Sequence, residues 1–411
     1  MSDFKDLNLS PELLKTLTKK GYKTPTEIQN LAIPIILTKR DLLGIAQTGT
    51  GKTAAFSLPI IDNIKRSDIK LFSKRARVLI MTPTRELAIQ VLDHIQLYAE
   101  GLNLKSTAIY GGVGPLNQVR KLSTGVDILV ATPGRLVDFL ERGHVRLDQL
   151  EVFVLDEADR MLDMGFITDV TKVIDQLPEV RQSLFFSATM PEDISKLADT
   201  ILTDPKRIEV APSATPIEKI DQVVKHLHRT NKPLLLIEIL KEENTQSVLV
   251  FTKTKLGADR VYKHLDDAGI SCASIHSDRT QGAREKSLTN FRKGVIKVLV
   301  ATDIAARGID VERVSHVINY DVPIEAETYV HRIGRTARAG RAGYAITFCD
   351  PVEIKYLKAI EKLLGCEIKE DQTHTYFGAP PRVYQDEPKQ KLTNPNKGKS
   401  NQPKRRKKKK K

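Results

Sequence analysis

Three cysteines in 411 residues are too few for a disulfide scaffold, and Cys272, Cys349 and Cys366 lack metal-ligand spacing. They read as inert thiols in a reducing compartment. No apolar run approaches the roughly 20 residues that span a bilayer. The LLLIEIL run at 234–240 is short and carries Glu238. The opening MSDFKDLNLS has no basic stretch followed by an apolar one, so no secretory signal is expected there. Net charge is also nearly missing from most of the chain. Residues 388–411 hold twelve Lys or Arg and no acid, which accounts for twelve of the net +14 and leaves +2 on the other 387 residues. Bulk charge therefore marks only the tail as a polyanion binder, and any such reading of the body must come from site chemistry. These absences exclude membrane-spanning, secreted and fibrous classes.

What is present has a strong rhythm. At about 100–200 residues per domain, the length suggests two globular domains with something added. Six apolar, mostly β-branched runs cross the first half: LLGIA (42–46), RVLIMT (77–82), STAIY (106–110), DILVAT (127–132), VFVLD (152–156) and SLFFSAT (183–189). Between most of them lie amphipathic stretches of helical length, such as ELAIQVLDHIQLYAE (86–100). Alternating strand and helix signals predict βαβ units around a parallel sheet, and strands this apolar predict burial on both faces. The rhythm pauses where three prolines punctuate 205–220. It restarts with QVVKHLH (222–228), SVLVFT (247–252), CASIHS (272–277), KVLVATD (297–303), HVINYD (316–321) and YAITFC (344–349). The expected organisation is a first α/β domain at 1–207, a linker at 208–220, a second α/β domain at 221–370 and a disordered basic tail at 371–411. Two such domains make a cleft, and a ligand held there couples closure to chemistry.

AQTGTGKT (46–53) lies between a strand signal and a helix signal, the context in which a phosphate-binding loop works. Gly49 and Gly51 permit dihedrals that turn the N–H groups of Thr48, Gly49, Thr50 and Gly51 inward around an anion, and the next helix adds its positive end. Lys52 is placed for the β- and γ-phosphates and Thr53 for Mg²⁺. The strict form of such a loop opens on glycine, where this chain has Ala46. Further on, VFVLDEAD (152–159) ends a buried strand in acids. Asp156 suits Mg²⁺ coordination, largely through water, and Glu157 suits a base that orients and deprotonates a water. A helix N-cap with an acidic first turn is the plainer use of such residues, and the preceding phosphate loop argues against it.

A phosphate loop followed by the literal Asp-Glu-Ala-Asp of 156–159 resembles the DEAD-box ATP-dependent RNA helicases of superfamily 2, built of two tandem RecA-like parallel-sheet P-loop domains. The remaining motifs agree in order. GYKTPTEIQ (21–29), with Phe4 upstream, is similar to the Q motif. PTRELA (83–88), GG (111–112) and TPGR (132–135) resemble the first-domain RNA motifs, and SAT (187–189) the coupling motif. VFTKT (250–254), QGAR (281–284), ATDIAARGID (301–310) and YVHRIGRTARAG (329–340) resemble the second-domain set. The match covers about residues 1–365. Ala337 stands where the family more often has glycine. With the compact core and short basic tail, the chain looks most like the bacterial RhlE-type branch.

The resemblance implies ATP and Mg²⁺ as cofactors and RNA as partner. Tyr22 would stack on adenine while the Gln29 amide, both donor and acceptor, pairs with its edge. Gly308 and Asp310 would hold the ribose. Arg335 and Arg338, three apart on one helical face, would serve as arginine fingers from the second domain, worth about 10³–10⁵ in rate. Ser187, Thr189 and His331 would join Asp159 in coupling ATP to RNA. RNA backbone contacts would come from Pro83, Thr84, Arg85, Gly112, Thr132, Gly134 and Arg135, and from Thr252, Arg284 and Thr302. Such groups suit phosphate and 2′-OH recognition and carry little base readout. The implied protein is a cytoplasmic, monomeric ATPase that opens short RNA duplexes or remodels ribonucleoproteins, with ribosomal or RNA-decay complexes as partners. Its tail adds a salt-sensitive hold on RNA. A DNA translocase and a non-hydrolysing RNA clamp are the competing readings. The Q motif and the acidic tetrad argue against the first, and the intact Glu157 and arginines against the second.

Overall fold

The computed structural model of the protein describes residues 3–47, 49–67, 69–210, 220–242, 245–306, 314–337 and 343–377. Two seven-stranded sheets carry this chain, and every strand pair in them is parallel. The first holds β1 (Leu42–Ile45), β2 (Ala76–Met81), β3 (Ser106–Ile109), β4 (Val126–Ala131), β5 (Val152–Leu155), β6 (Gln182–Ser187) and β7 (Lys206–Glu209). Their spatial order is β3-β4-β2-β5-β6-β1-β7. The second holds β8 (Ile220–His226), β9 (Val248–Thr252), β10 (Cys272–Ile275), β11 (Val298–Thr302), β12 (His316–Asn319), β13 (Gly343–Cys349) and β14 (Lys369–Glu370). Its order is β10-β11-β9-β12-β13-β8-β14, the same order strand for strand.

All twelve apolar runs form strands. β2, β4 and β6 are buried along their whole length because helices cover both faces of the sheet. One face packs Phe56, Val91 and Phe186, the other Phe139, Phe153 and Phe185. A Cβ on Gly44 of β1 would lie 2.6 Å from the Phe186 ring, so this glycine makes room for the aromatic beside it.

Two of the four edge strands, β7 and β14, carry no apolar rhythm. β7 buries only Ile208 among Lys206, Arg207 and Glu209. The expected boundary at 207 and linker from 208 therefore cut through β7, and β8 begins at Ile220; residues 211–219 lie outside the described residues. The expected onset of disorder at 371 is also corrected, because 371–377 strap across the second sheet. The Asp371 N–H donates to Val224 O at 2.9 Å, its carboxylate pairs with Lys225, the Thr375 hydroxyl reaches Glu238 at 3.2 Å, and Tyr376 packs on the core. Residues 378–411, with the basic run, lie outside the described residues. No helix among the described residues is long and apolar enough to cross a membrane.

Parallel strands bring all their C-terminal ends to one rim, where α/β proteins bind ligands. On the first sheet, adjacent β5, β6 and β1 deliver the acidic tetrad, Ser187–Thr189 and the phosphate loop. Adjacent β3, β4 and β2 deliver Gly111–Gly112, Thr132–Arg135 and Pro83–Arg85. The sheet order thus splits one rim into a phosphate half and a second half rich in hydroxyl and guanidinium groups.

Candidate active site and nucleic-acid interface

The loop after β1 turns through Gly49 (φ 89°) and Gly51 (φ 95°), a left-handed backbone that glycine holds without strain. It leads into the helix Lys52–Lys65, whose first N–H groups have no side-chain cap. Lys52 is 6% exposed and donates to Ala46 O at 2.8 Å across the loop. Thr53 stands in the first turn, the Thr50 hydroxyl donates to Gln47 O at 2.8 Å, and Thr48 lies outside the described residues. Gln29 closes the loop from the other side. Its Oε1 accepts from the Thr26 N–H at 3.0 Å and its Nε2 donates to Gly51 O at 3.2 Å. Each amide atom keeps a second lone pair or hydrogen for a base edge. A Cβ on Gly51 would lie 2.4 Å from Gln29 Nε2, a second reason for glycine there. Half-buried Tyr22 meets Phe4 and Tyr98 edge-on, with centroids 6.5 and 5.9 Å away.

Asp156 and Glu157 follow β5, both buried. Asp156 Oδ1 has no hydrogen-bond partner, and burial pushes this carboxyl up, with Lys52 opposing. An orphaned, desolvated oxygen beside a phosphate loop is a donor that a hard cation would satisfy. No three His, Cys, Asp or Glu among the described residues cluster as a metal cage. Mg²⁺ is bound mainly by phosphate and water with one or two protein oxygens, a demand that the Thr53 hydroxyl and Asp156 Oδ1 fit. Glu157 has φ 56°, a left-handed conformation costing a non-glycine residue about 1–2 kcal/mol. Burial raises its carboxyl, but Arg160, Lys52 and Arg335 outweigh burial and hold it below the usual range, so it is ionised and able to accept a proton. Arg160 pairs with it directly.

Asp159 is tied to the end of β6. Its Oδ2 accepts from the Ala188 N–H at 3.2 Å, the Thr189 N–H at 3.0 Å and the Thr189 hydroxyl at 3.1 Å. Ser187 Oγ accepts from the Asp159 N–H at 3.2 Å and donates to Thr189 O at 2.8 Å.

The second sheet brings Arg335 to the same place. The helix Ala326–Ile333 stops at Gly334, so Arg335, expected on a helical face, lies in the turn beyond it. Arg335 is 7% exposed, donates from Nε to His331 O at 3.3 Å, and is among the charges that act on Glu157. His331 is exposed and lines a shallow hollow with Asp303 and Arg335. Ala337 has φ 55°, a backbone that explains why glycine suits this position. Arg332 is an internal brace, gripping Asp303 at 2.6 and 2.8 Å, Asn319 at 3.1 Å and Asp321 O at 2.8 Å. Gly308, Asp310 and Arg338 lie outside the described residues.

On the other half of the rim, Arg85 lies across the glycine pair, where a Cβ on Gly112 (φ 79°) would sit 1.8 Å from its guanidinium. The Thr84 side chain caps the helix Arg85–Tyr98, and Thr132 stands at the start of the helix Pro133–Glu141 without a side-chain capping bond, beside Pro83 and Gly134. Arg135 donates to Val113 O at 3.0 Å over the Phe139 ring, and its Nη1 is buried without a hydrogen bond. Thr252 ends β9 and Thr302 ends β11. Arg284 lies across the two halves, 3.0 Å from Glu86, with Gln281 also donating to Glu86 at 3.4 Å. Glu86 and Arg160 carry no motif signal that singles them out. Thr254, which accepts from the Gly257 N–H as Thr84 accepts from the Leu87 N–H, is legible once FTKT is laid over MTPT.

Comparison with known proteins agrees with this geometry. Residues 26–197 match the DEAD/DEAH box helicase model and 231–340 the helicase conserved C-terminal domain. The chain is 43% identical over 370 residues to the ATP-dependent RNA helicase DeaD of Haemophilus influenzae, covering 89% of this chain but only 59% of that protein's length. It is 41% identical over 359 residues to the DEAD-box ATP-dependent RNA helicase CshA of Bacillus subtilis, covering 87% of this chain and 72% of that one. The S. cerevisiae Dbp5 structure bound to RNA and ADP BeF3 superposes with a TM-score of 0.80 at 33% identity, over 90% of this chain and 96% of that one.

Proposed function

The chain belongs to the DEAD-box helicase family, and from that premise we propose that it is an RNA-stimulated ATPase that opens short RNA duplexes locally or remodels ribonucleoprotein complexes. The observation that carries this reading is that buried Arg335 of the second sheet lies near enough to act on the buried Glu157 carboxylate of the first. One comes from each sheet, so the hydrolytic machinery is complete only with the halves together. Glu157 takes the proton of the attacking water. Lys52 and Arg335, joined by Arg338, offset charge on the γ-phosphate oxygens. Tyr22 and Gln29 select adenine, Gly308 and Asp310 hold the ribose, and residues 48–53 cradle the phosphates. Mg²⁺ at Thr53, and through water at Asp156, would neutralise phosphate charge.

RNA lies along the rim over Pro83, Thr84, Arg85, Gly112, Thr132, Gly134 and Arg135, then Thr252 and Thr302, with Arg284 at the junction. Asp159, Ser187, Thr189 and His331 connect that strand to the nucleotide. The tail tethers RNA without sequence preference. The RhlE-type branch, a cytoplasmic location, a monomeric state and service to ribosomal or RNA-decay complexes complete the proposal. The relatives named as ATP-dependent RNA helicases and the RNA-bound Dbp5 neighbour support the substrate class.

Steady-state ATPase assays with RNA and with DNA of equal length test the reading. RNA should stimulate hydrolysis and DNA should not. Arg335→Ala should lose about 10³-fold or more of the stimulated rate while nucleotide still binds the first domain. Equal stimulation by DNA, or normal turnover in Arg335→Ala, would overturn it.

A further inference from the structure

The open edge of the first sheet takes no part in the site described above. β3 is the outermost strand and pairs only with β4. Lys105 O accepts from the Asp127 N–H at 2.8 Å and Ile109 O from the Thr132 N–H at 3.1 Å, so the odd-numbered peptide groups face β4. The even-numbered groups face outward. Tyr110 shows this directly. Its N–H donates to Gln118 Oε1 at 3.0 Å and its C=O accepts from Gln118 Nε2 at 3.2 Å, so a side-chain amide stands where the next strand's peptide group would be. Ser106 and Ala108 share that outward aim, and no strand or side-chain amide among the described residues covers them.

Beside them opens a cavity of about 380 Å³, within the size range of ligand pockets. Lys105, Ser106, Thr107 and Lys121 line it over Leu104 and Val126. The Thr107 hydroxyl is buried there with no hydrogen-bond partner. Lys105 and Lys121 are exposed, and neither has an acidic partner among the described residues.

We propose that this edge docks an extended, acidic segment of a partner protein as an added strand. Ser106 and Ala108 supply the main-chain bonds, the Thr107 pocket takes an alternate side chain, and the two lysines set the sign of charge accepted. Nucleic acid is the poorer occupant. It has no row of N–H and C=O groups at ladder spacing, and the rim assigned to RNA lies at the C-terminal ends of the strands, whereas this cavity opens at the N-terminal end of β3.

The test uses the isotope-labelled full-length protein and a short synthetic peptide of alternating Glu and Val, with a control N-methylated on the amides that would face β3. In the free protein the Ser106 and Ala108 amides should exchange faster than those of Thr107 and Ile109. The peptide should slow their exchange by about tenfold or more, and the N-methylated control should not. Lys105→Glu combined with Lys121→Glu should weaken the peptide by about tenfold and leave RNA-stimulated ATPase unchanged. Equal binding of the N-methylated peptide, unprotected Ser106 and Ala108 at saturating peptide, or protection of the same amides by single-stranded RNA instead would each overturn the proposal.

Discussion

Replacing Glu86 by alanine should weaken closure of the two halves without weakening either half. Glu86 and Arg284 lie 3.0 Å apart with side chains 8% and 9% exposed, so the pair is nearly dry. It exists only while the halves are together; apart, both charges return to water. At 3.0 Å the attraction is about 5 kcal/mol at an effective dielectric of about 20. Desolvation of the guanidinium, which pushes Arg284 towards its neutral form, offsets much of it. Removing the carboxylate leaves a buried cation uncompensated, at about 3–5 kcal/mol in a fully buried site and about 2–3 kcal/mol in this marginally wet one. At about 1.4 kcal/mol per tenfold, closure should weaken by about 30–150-fold. Glu86→Gln keeps an acceptor for Arg284 and should lose only about 1 kcal/mol. Interdomain energy transfer, titrated with RNA at saturating non-hydrolysable ATP analogue, reads the shift, and the melting midpoint of the unliganded protein should hardly move. The double variant Glu86→Ala/Arg284→Ala should recover most of the loss because the orphaned charge is gone. If it recovers nothing, Arg284 spends the closed state on RNA phosphate and the ion pair is not what holds the halves.

Glu157→Gln keeps volume and hydrogen bonding but cannot accept a proton, so hydrolysis should fall by at least about 10² with ATP and RNA binding intact; steady-state turnover beside nucleotide titration checks it. Thr189→Ala removes one of three hydrogen bonds on Asp159 Oδ2 while both backbone donors remain. Duplex opening should drop more than RNA-stimulated ATPase, and parallel losses in the two assays would count against a coupling role. Deleting 388–411 removes twelve positive charges. The RNA concentration for half-maximal ATPase should rise and its salt slope flatten by about 0.7 per lost phosphate contact, with turnover at saturating RNA unchanged.

The buried strands were legible because a parallel sheet covered on both faces demands apolar residues at every position, and that leaves a mark in the sequence. β7 and β14 left none, since an exposed edge strand such as Lys206–Glu209 needs only one inward residue. The nucleotide residues were legible for a different reason. A phosphate loop and a strand-end carboxylate pair are local chemistry, written in consecutive residues such as Gly49–Thr53 and Asp156–Glu157. The Arg335 turn was misread because RIGRTAR has helical composition, and only Gly334 at the helix end breaks it. The bond that Glu86 accepts from Gln281 and its pairing with Arg284 could not be read at all, because they depend on how two separate sheets meet.

The repeated strand order also explains why the halves do different work. On the RNA side they remain alike. Thr82 Oγ1 donates to Thr84 O at 3.4 Å after β2, and Thr252 Oγ1 to Thr254 O at 3.2 Å after β9. On the nucleotide side they have diverged. Lys52 starts the helix after β1 and Lys232 the helix after β8, while Asp156 follows β5 and Asp321 follows β12. In the first half Asp156 Oδ1 lacks a partner. In the second, Lys232 is 2% exposed and held by Glu353 at 2.6 Å and Asp321 at 3.8 Å, and the Lys253 N–H donates to Asp321 at 2.8 Å. The second half's counterpart of the phosphate site is therefore neutralised by its own acids, and the turn before Lys232 has no glycine to form an anion nest. In the function proposed above, this half therefore binds no triphosphate of its own and contributes the part of the rim proposed to grip RNA. What it gives the shared nucleotide in that function is a cation, and Arg335 beyond Gly334 stands near enough to act on Glu157 with the halves together.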